Sequence, residues 1–292
     1  MKQARLTSRD RLLGLALVLT SAIAFGATAI FARLAYDDGV DVPTLLCLRF
    51  ALASIILLAL MAARRVPLPR GRVLAGLLLL GAVGRVGQGL TFFYALTLAP
   101  VALVSLLLYL YPAIVALLAA LLLHERLTPL KLGALALALA GTMLTLGPDT
   151  GGPPLGIVLG LVTACIYAVY ILASSRIVPR AGAFASSAII TVASAPVFAV
   201  LTAVHGPALP RSALGWSAIL GSVLIATVAG TLTFFAGLAR VGPTTASTLS
   251  TIEPAVTVAL AALILSETIA PLQLLGGALI LTAVVALARS RR

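Results

Sequence analysis

Leu90-Thr91-Phe92-Phe93 returns as Leu232-Thr233-Phe234-Phe235. The displacement is 142 positions, the distance from Pro112 to Pro254, and it holds without a gap well beyond that tetrapeptide. It carries Ser105 onto Ser247, Pro112-Ala113 onto Pro254-Ala255, Glu125 onto Glu267 and Pro129-Leu130 onto Pro271-Leu272. Upstream, Leu13-Gly14 falls on Leu155-Gly156. A register kept over such a length marks an internal duplication. The chain reads as one membrane domain built from two copies of a unit, residues 12–147 and 154–288.

Each unit is written in membrane helices. The sequence is 61% hydrophobic and 10% charged, with a mean hydropathy of +1.18. A soluble domain carries about a quarter charged residues, so lipid has to be the solvent for most of this chain. Apolar runs of bilayer length fall at 12–35, 43–63, 73–95, 101–123, 128–147, 154–175, 183–204, 213–238, 243–265 and 269–288. The short alternating segments of a membrane β-barrel do not appear. The fold class is therefore all-α integral membrane, ten transmembrane helices in two five-helix repeats. An odd number of spans per repeat forces the halves to cross the bilayer in opposite senses. Inverted repeats of this kind are a transporter architecture, with the ligand near the midplane between the halves.

Cytoplasmic loops retain Lys and Arg. Taking alternate loops, one side collects Lys2, Arg5, Arg9, Arg11, Arg64, Arg65, Arg70, Arg72, Arg126, Lys131, Arg176, Arg180, Arg240, Arg289, Arg291 and Arg292, and the other has only Arg211. That bias puts both termini in the cytoplasm, as in a multi-pass protein of a bacterial inner membrane. It also accounts for the net charge of +12, which would otherwise raise nucleic-acid binding; the basic residues are scattered and no recognition module accompanies them. The first apolar run follows basic residues as a signal peptide would, but is too long for one and reads as a permanent span. Cys47 and Cys165 lie far apart inside apolar runs and read as small core residues, without disulfide or metal spacing. No metal or cofactor is expected.

Tyr111-Pro112-Ala113 through Leu123-His124-Glu125-Arg126-Leu127, echoed by Glu253-Pro254-Ala255 through Leu265-Ser266-Glu267, resembles the paired EamA repeats of the drug/metabolite transporter superfamily. Leu48-Arg49-Phe50 before an Ala-rich span is similar to the second helix of such a repeat. The resemblance covers nearly the whole chain. It implies a central cavity lined mainly by helices 1, 3, 4, 6, 8 and 9, and export of amino acids, other metabolites or toxic cations. Amino-acid exporters are nearest in length and layout. The chain departs from the pattern at His124, where relatives often carry Gly before the Glu.

Ionisable side chains in a bilayer need a reason to be there. Arg33 lies near the outer end of helix 1 and can reach water or Asp37 and Asp38. Arg49 reads as structural, paired with Asp41 or with backbone carbonyls. Arg85 and Glu253 lie at the centre of helices 3 and 9. Gln88 and Phe92 share a face with Arg85, and Ser250 and Thr257 share one with Glu253. The repeat maps Arg85 onto Thr227 and Glu253 onto Tyr111, so each central charge occurs once while the prolines and phenylalanines of the scaffold recur. The expected substrate-binding set is Arg85, Gln88, Phe92, Tyr111, Ser250, Glu253 and Thr257, with Glu253 also a proton-coupling candidate. The competing reading of Arg85 and Glu253 is a buried ion pair that only fixes packing. Gly81, Gly84 and Gly87 allow a neighbouring helix to come close. Pro112 and Pro254 should kink or gate. Glu125 and Glu267 read as caps of the helices that follow, and Trp216 as an outer-interface anchor.

One positive and one negative group in one cavity suit a zwitterion, an amino acid above all, exported or exchanged by alternating access. Organic cations are the alternative cargo. An intramembrane enzyme would need a converging catalytic cluster, and His124 and His205 fall at opposite faces. A channel would need rings of like groups. The partners expected are the lipid bilayer and a small molecule, an amino acid foremost, not nucleic acid; the sequence specifies no oligomeric state, and a monomer is compatible with it.

Overall fold

A computed structural model of the chain describes residues 8–98, 104, 107–125, 127–146, 153–265 and 271–289. Every regular element among them is helical. Helix α1 is Ser8–Gly26 and continues past Ala27 as Thr28–Asp37; α2 is Val42–Ala63. Helix α3 runs as Gly71–Leu79, Leu80–Arg85 and Val86–Leu98, the middle piece being π-helical. Helix α4 is Tyr111–Leu123, α5 Pro129–Leu146, α6 Pro154–Ala181 and α7 Ala183–His205. Helix α8 is Ala213–Gly221, a π-helical Ser222–Ala229 and Gly230–Val241. Helix α9 is Pro243–Ser250 and Glu253–Leu265, and α10 is Pro271–Arg289. Seven of these are long and apolar enough to cross a membrane, and shorter apolar stretches lie in α4, α5 and α10.

The packing obeys the duplication. Helix α2 lies on α7 and α5 on α10, each helix against its own counterpart. Helix α1 lies on α8 as α3 lies on α6, and α4 meets α6 as α9 meets α1. All these interfaces join one half to the other. Small residues permit the close approaches: a Cβ on Gly141 of α5 would stand 2.7 Å from the carbonyl oxygen of Gly276 on α10.

Two irregularities recur at the repeat displacement. The π-helical pieces of α3 and α8 begin at Leu80 and Ser222, equivalent positions. The turn Tyr109-Leu110 before α4 matches the turn Thr251-Ile252 within α9. Pro112 and Pro254 explain the turns. Each is the second residue of the helix that follows, a place where the missing N–H costs nothing but where an uninterrupted helix would clash. One-turn bonds bridge the gap, Leu110 N–H to Leu107 C=O at 3.2 Å and Thr251 N–H to Thr248 C=O at 3.3 Å.

Several local expectations change. Helix α6 runs to Ala181 rather than ending near 175, so Arg176 and Arg180 ride on a helix and Gly182 alone (φ 81°) turns the chain into α7. Cys165 is exposed rather than a core residue, and Cys47 is half-buried. Arg33 bridges Asp37 at 3.1 Å, while Asp38 accepts from the backbone N–H groups of Arg211 and Ser212. Those N–H donors, Ser212 foremost, hold the Asp38 carboxyl below its ordinary range. His124 takes the left-handed conformation (φ 55°, ψ 36°) at the end of α4, a region that Gly enters at less cost than a residue with a Cβ.

Candidate functional site

The two proline turns bring Glu253 and the tyrosines of the first half together. Tyr109 Oη donates to Glu253 Oε2 across 3.5 Å. Glu253 Oε1 is buried without a partner, as are Ser250 Oγ and Tyr111 Oη. Thr257, one turn past Glu253, donates to the Gly26 carbonyl at 2.9 Å and to the Glu253 carbonyl at 3.0 Å. It thereby stitches α9 to α1 where α1 is itself interrupted.

A row of rings leads away from this centre. Tyr109 and Tyr111 lie 6.3 Å apart, Tyr111 meets Tyr167 edge-on at 4.7 Å, and Tyr170 follows at 6.1 Å. The row then turns to Phe235 and Phe234 of α8. Tyr170 packs against α3, since a Cβ on Gly84 would stand 3.0 Å from its ring. Gly84 neighbours Arg85, so the tyrosines connect the Glu253 centre to the helix that bears the predicted cation.

Arg85 is half-buried. Its Nη1 donates to Gln88 Oε1 at a long 3.3 Å, and its guanidinium lies 5.7 Å from the centre of the Phe50 ring. No ion-pair partner of Arg85 or of Glu253 is present among the described residues, so the direct pair between the two is not formed. Phe92 packs edge-on against Phe93 at 5.5 Å. The predicted residues thus fall into two groups, Glu253 with Ser250, Thr257 and Tyr111, and Arg85 with Gln88.

Arg49 has a different partner from the two the sequence suggested. Asp41 spends its carboxylate on the N–H of Thr44, capping α2 at 2.9 Å. Arg49 is 5% exposed and donates from Nε to Thr227 Oγ1 at 2.6 Å, with its guanidinium 5.9 Å from the Phe50 ring. The signal lay in the mapping of Arg85 onto Thr227, but nothing in the sequence says that Arg49 reaches that residue. Glu125 is also not a helix cap. It binds Lys131 at 2.7 Å and accepts from Thr244 at 3.0 Å, tying the end of α4 to the start of α9. Its counterpart Glu267 lies outside the described residues.

A separate cleft of about 260 Å³ opens between the start of α2, the end of α3 and the end of α7. Its walls are mostly apolar, with Asp41, Tyr94 and His205 among them, and none of the predicted binding residues lines it. Among the described residues no three His, Cys, Asp or Glu side chains come together as a metal site would need.

Known proteins place this arrangement. A solved crystal structure 24% identical in sequence superposes with a TM-score of 0.80, covering 94% of this chain and 95% of its own, and so shares the fold. The aromatic amino acid exporter YddG of Ancylobacter novellus is 37% identical over 102 residues, which is 33% of this chain and 36% of that protein. This chain therefore matches little more than a third of that relative's length. The EamA-like transporter family matches twice, over residues 12–147 and 154–289. Those two matches coincide with the two halves that carry the paired proline turns and π segments, and the chain belongs to the EamA-like transporter family.

Proposed function

We propose that the protein is a carrier of small zwitterionic metabolites, amino acids foremost, working by alternating access in a bacterial inner membrane with both termini in the cytoplasm. One observation carries the reading. Glu253 Oε1, Ser250 Oγ and Tyr111 Oη are buried without partners at the paired helix turns. A buried polar group left unpaired costs about 1–3 kcal/mol, and three at the two breaks are what a polar cargo would satisfy. The substrate amine would face Glu253 and its carboxylate Arg85, neither of which has an ion partner of its own. The partial likeness to an aromatic amino acid exporter agrees with this choice.

The second reading, an exporter of organic cations, draws on the tyrosine row beside Glu253, whose faces attract cations. Counterflow in proteoliposomes separates the two. L-Amino acids should compete with labelled phenylalanine, whereas the corresponding amines without carboxylate should compete only at far higher concentration. Arg85→Gln should lower the affinity for amino acids about tenfold or more, and Arg85→Lys should restore only part of it, because ammonium cannot grip a carboxylate as a fork. Transport of amines in preference to amino acids would establish the cation reading. Glu253→Gln should abolish net transport driven by an imposed pH gradient while exchange of labelled for unlabelled substrate persists. Wild-type transport indifferent to that gradient would remove the proton-coupling role.

A further inference from the structure

We infer that Arg49 is the second guanidinium of a carboxylate-binding subsite shared with Arg85, and not a structural residue of a peripheral helix. The inference rests on the carrier reading above and deepens it. Both guanidiniums lie within 6 Å of one ring, Arg49 at 5.9 Å and Arg85 at 5.7 Å from the centre of Phe50. Like charges gathered in a weakly polar interior repel, and desolvation adds to the cost. An acidic neighbour would offset both. Among the described residues neither arginine has a carboxylate in ion-pair contact, and Glu253 acts on Arg85 only from a greater distance. A buried arginine in a bilayer is usually held by a carboxylate, by backbone carbonyls or by a ligand; among the described residues Arg49 bonds only the Thr227 hydroxyl and has neither of the first two, which leaves the ligand.

The way Arg49 is held supports this. Its Nε is engaged by Thr227 Oγ1, whose own proton goes to the Ser222 carbonyl at 2.9 Å within the π segment of α8. Thr227 is the residue onto which the repeat maps Arg85. Arg85 itself is the last residue of the π segment of α3. The two widened helical turns thus present one guanidinium directly and hold the other by its Nε. The Nε bond leaves the remaining guanidinium N–H donors available, and two planar forks can share one acid group. Tyr36 Oη, on α1 and packed into the same cluster as Phe50, is buried without a partner and is a further donor. The ligand class is an organic carboxylate. The amine of a zwitterion would sit with Glu253, along the tyrosine row.

The test uses the full chain in lipid nanodiscs with three probes of one shape: L-phenylalanine, 3-phenylpropionate and phenethylamine. The wild type should bind both carboxylates. Arg49→Gln should weaken both about tenfold or more and leave phenethylamine unchanged, while Arg49→Lys should recover part of the loss. Thr227→Val should lower carboxylate affinity in the same pattern but less, and it carries the test should Arg49→Gln not fold. Equal weakening of all three probes would mean that Arg49 only supports the fold, and would overturn the inference. So would carboxylate binding indifferent to Arg49, or a wild type that binds neither carboxylate. Arg49-dependent binding of 3-phenylpropionate without phenylalanine transport would instead sink the amino-acid reading and leave the subsite standing.

Discussion

Gly81 has no room for a side chain. A Cβ there would stand 2.6 Å from Ala193 Cβ and closer still to the Ile190 carbonyl oxygen, both on α7. A backbone carbonyl cannot swing aside, and Ser194 Oγ already donates to Gly81 C=O at 3.0 Å across the same contact. Gly81→Ala should therefore destabilise the protein by about 1–3 kcal/mol, read as a lower melting temperature in detergent. Gly133→Ala on α5, where nothing lies within 4 Å of the added carbon, should leave that temperature unchanged or slightly raised. A wild-type melting temperature for Gly81→Ala would show that α3 and α7 can part at no cost. The glycine face of α3 was legible as a place of close approach, because spacing alone fixes a face. What it approaches was not, and it proves to be two helices, α7 at Gly81 and α6 at Gly84 and Gly87. Arg49 was illegible for the same reason: its hydroxyl partner is 178 residues away, and no local pattern announces a bond of that range.

At the scale of the element, the proline turns divide α9 into two pieces and set a short turn before α4. Such a division lets the pieces tilt separately, which the alternating access proposed above would use. Pro254→Ala and Pro112→Ala should let the helices run through. Binding should then persist within a few-fold of wild type, while the rate of exchange falls about tenfold or more. Calorimetry on the purified protein measures the first and proteoliposome counterflow the second; exchange at the wild-type rate would show that the turns do not gate. These breaks were foreseeable because proline has one strong local effect. The π segments were not, since no residue type demands the wider turn and the glycines around Leu80–Arg85 pointed only to a close helix approach. Glu125 was misread because a carboxylate two residues past a helix end looks like a cap for the next one. Lys131 and Thr244 claim it instead.

For the whole molecule, the two-half plan was open to reading because the duplication keeps its register and the loops segregate their basic residues. A reporter active only in the cytoplasm should be active when fused after Arg292 and silent when inserted at Gly151-Gly152, between the halves. Activity on the same side for both would refute opposite orientation of the repeats. The pairing of helices was beyond the sequence. Apolar faces in lipid look alike, so periodicity tells which residues avoid water but not which helix each one meets.

That pairing has a cost in time as well as in space. Because α2 rests on α7, α1 on α8 and α5 on α10, the ribosome releases the first five helices before the partners of any of these three exist. During that interval Arg49 sits in a bilayer without the threonine that will hold it, since Thr227 arrives only with α8. The newborn first half is thus a set of helices exposing small-residue seams and buried cations to lipid, the state that insertases and membrane proteases inspect. Slow translation between Leu146 and Ser222 would lengthen that exposure, so the yield of folded protein should depend on how quickly the second half follows the first.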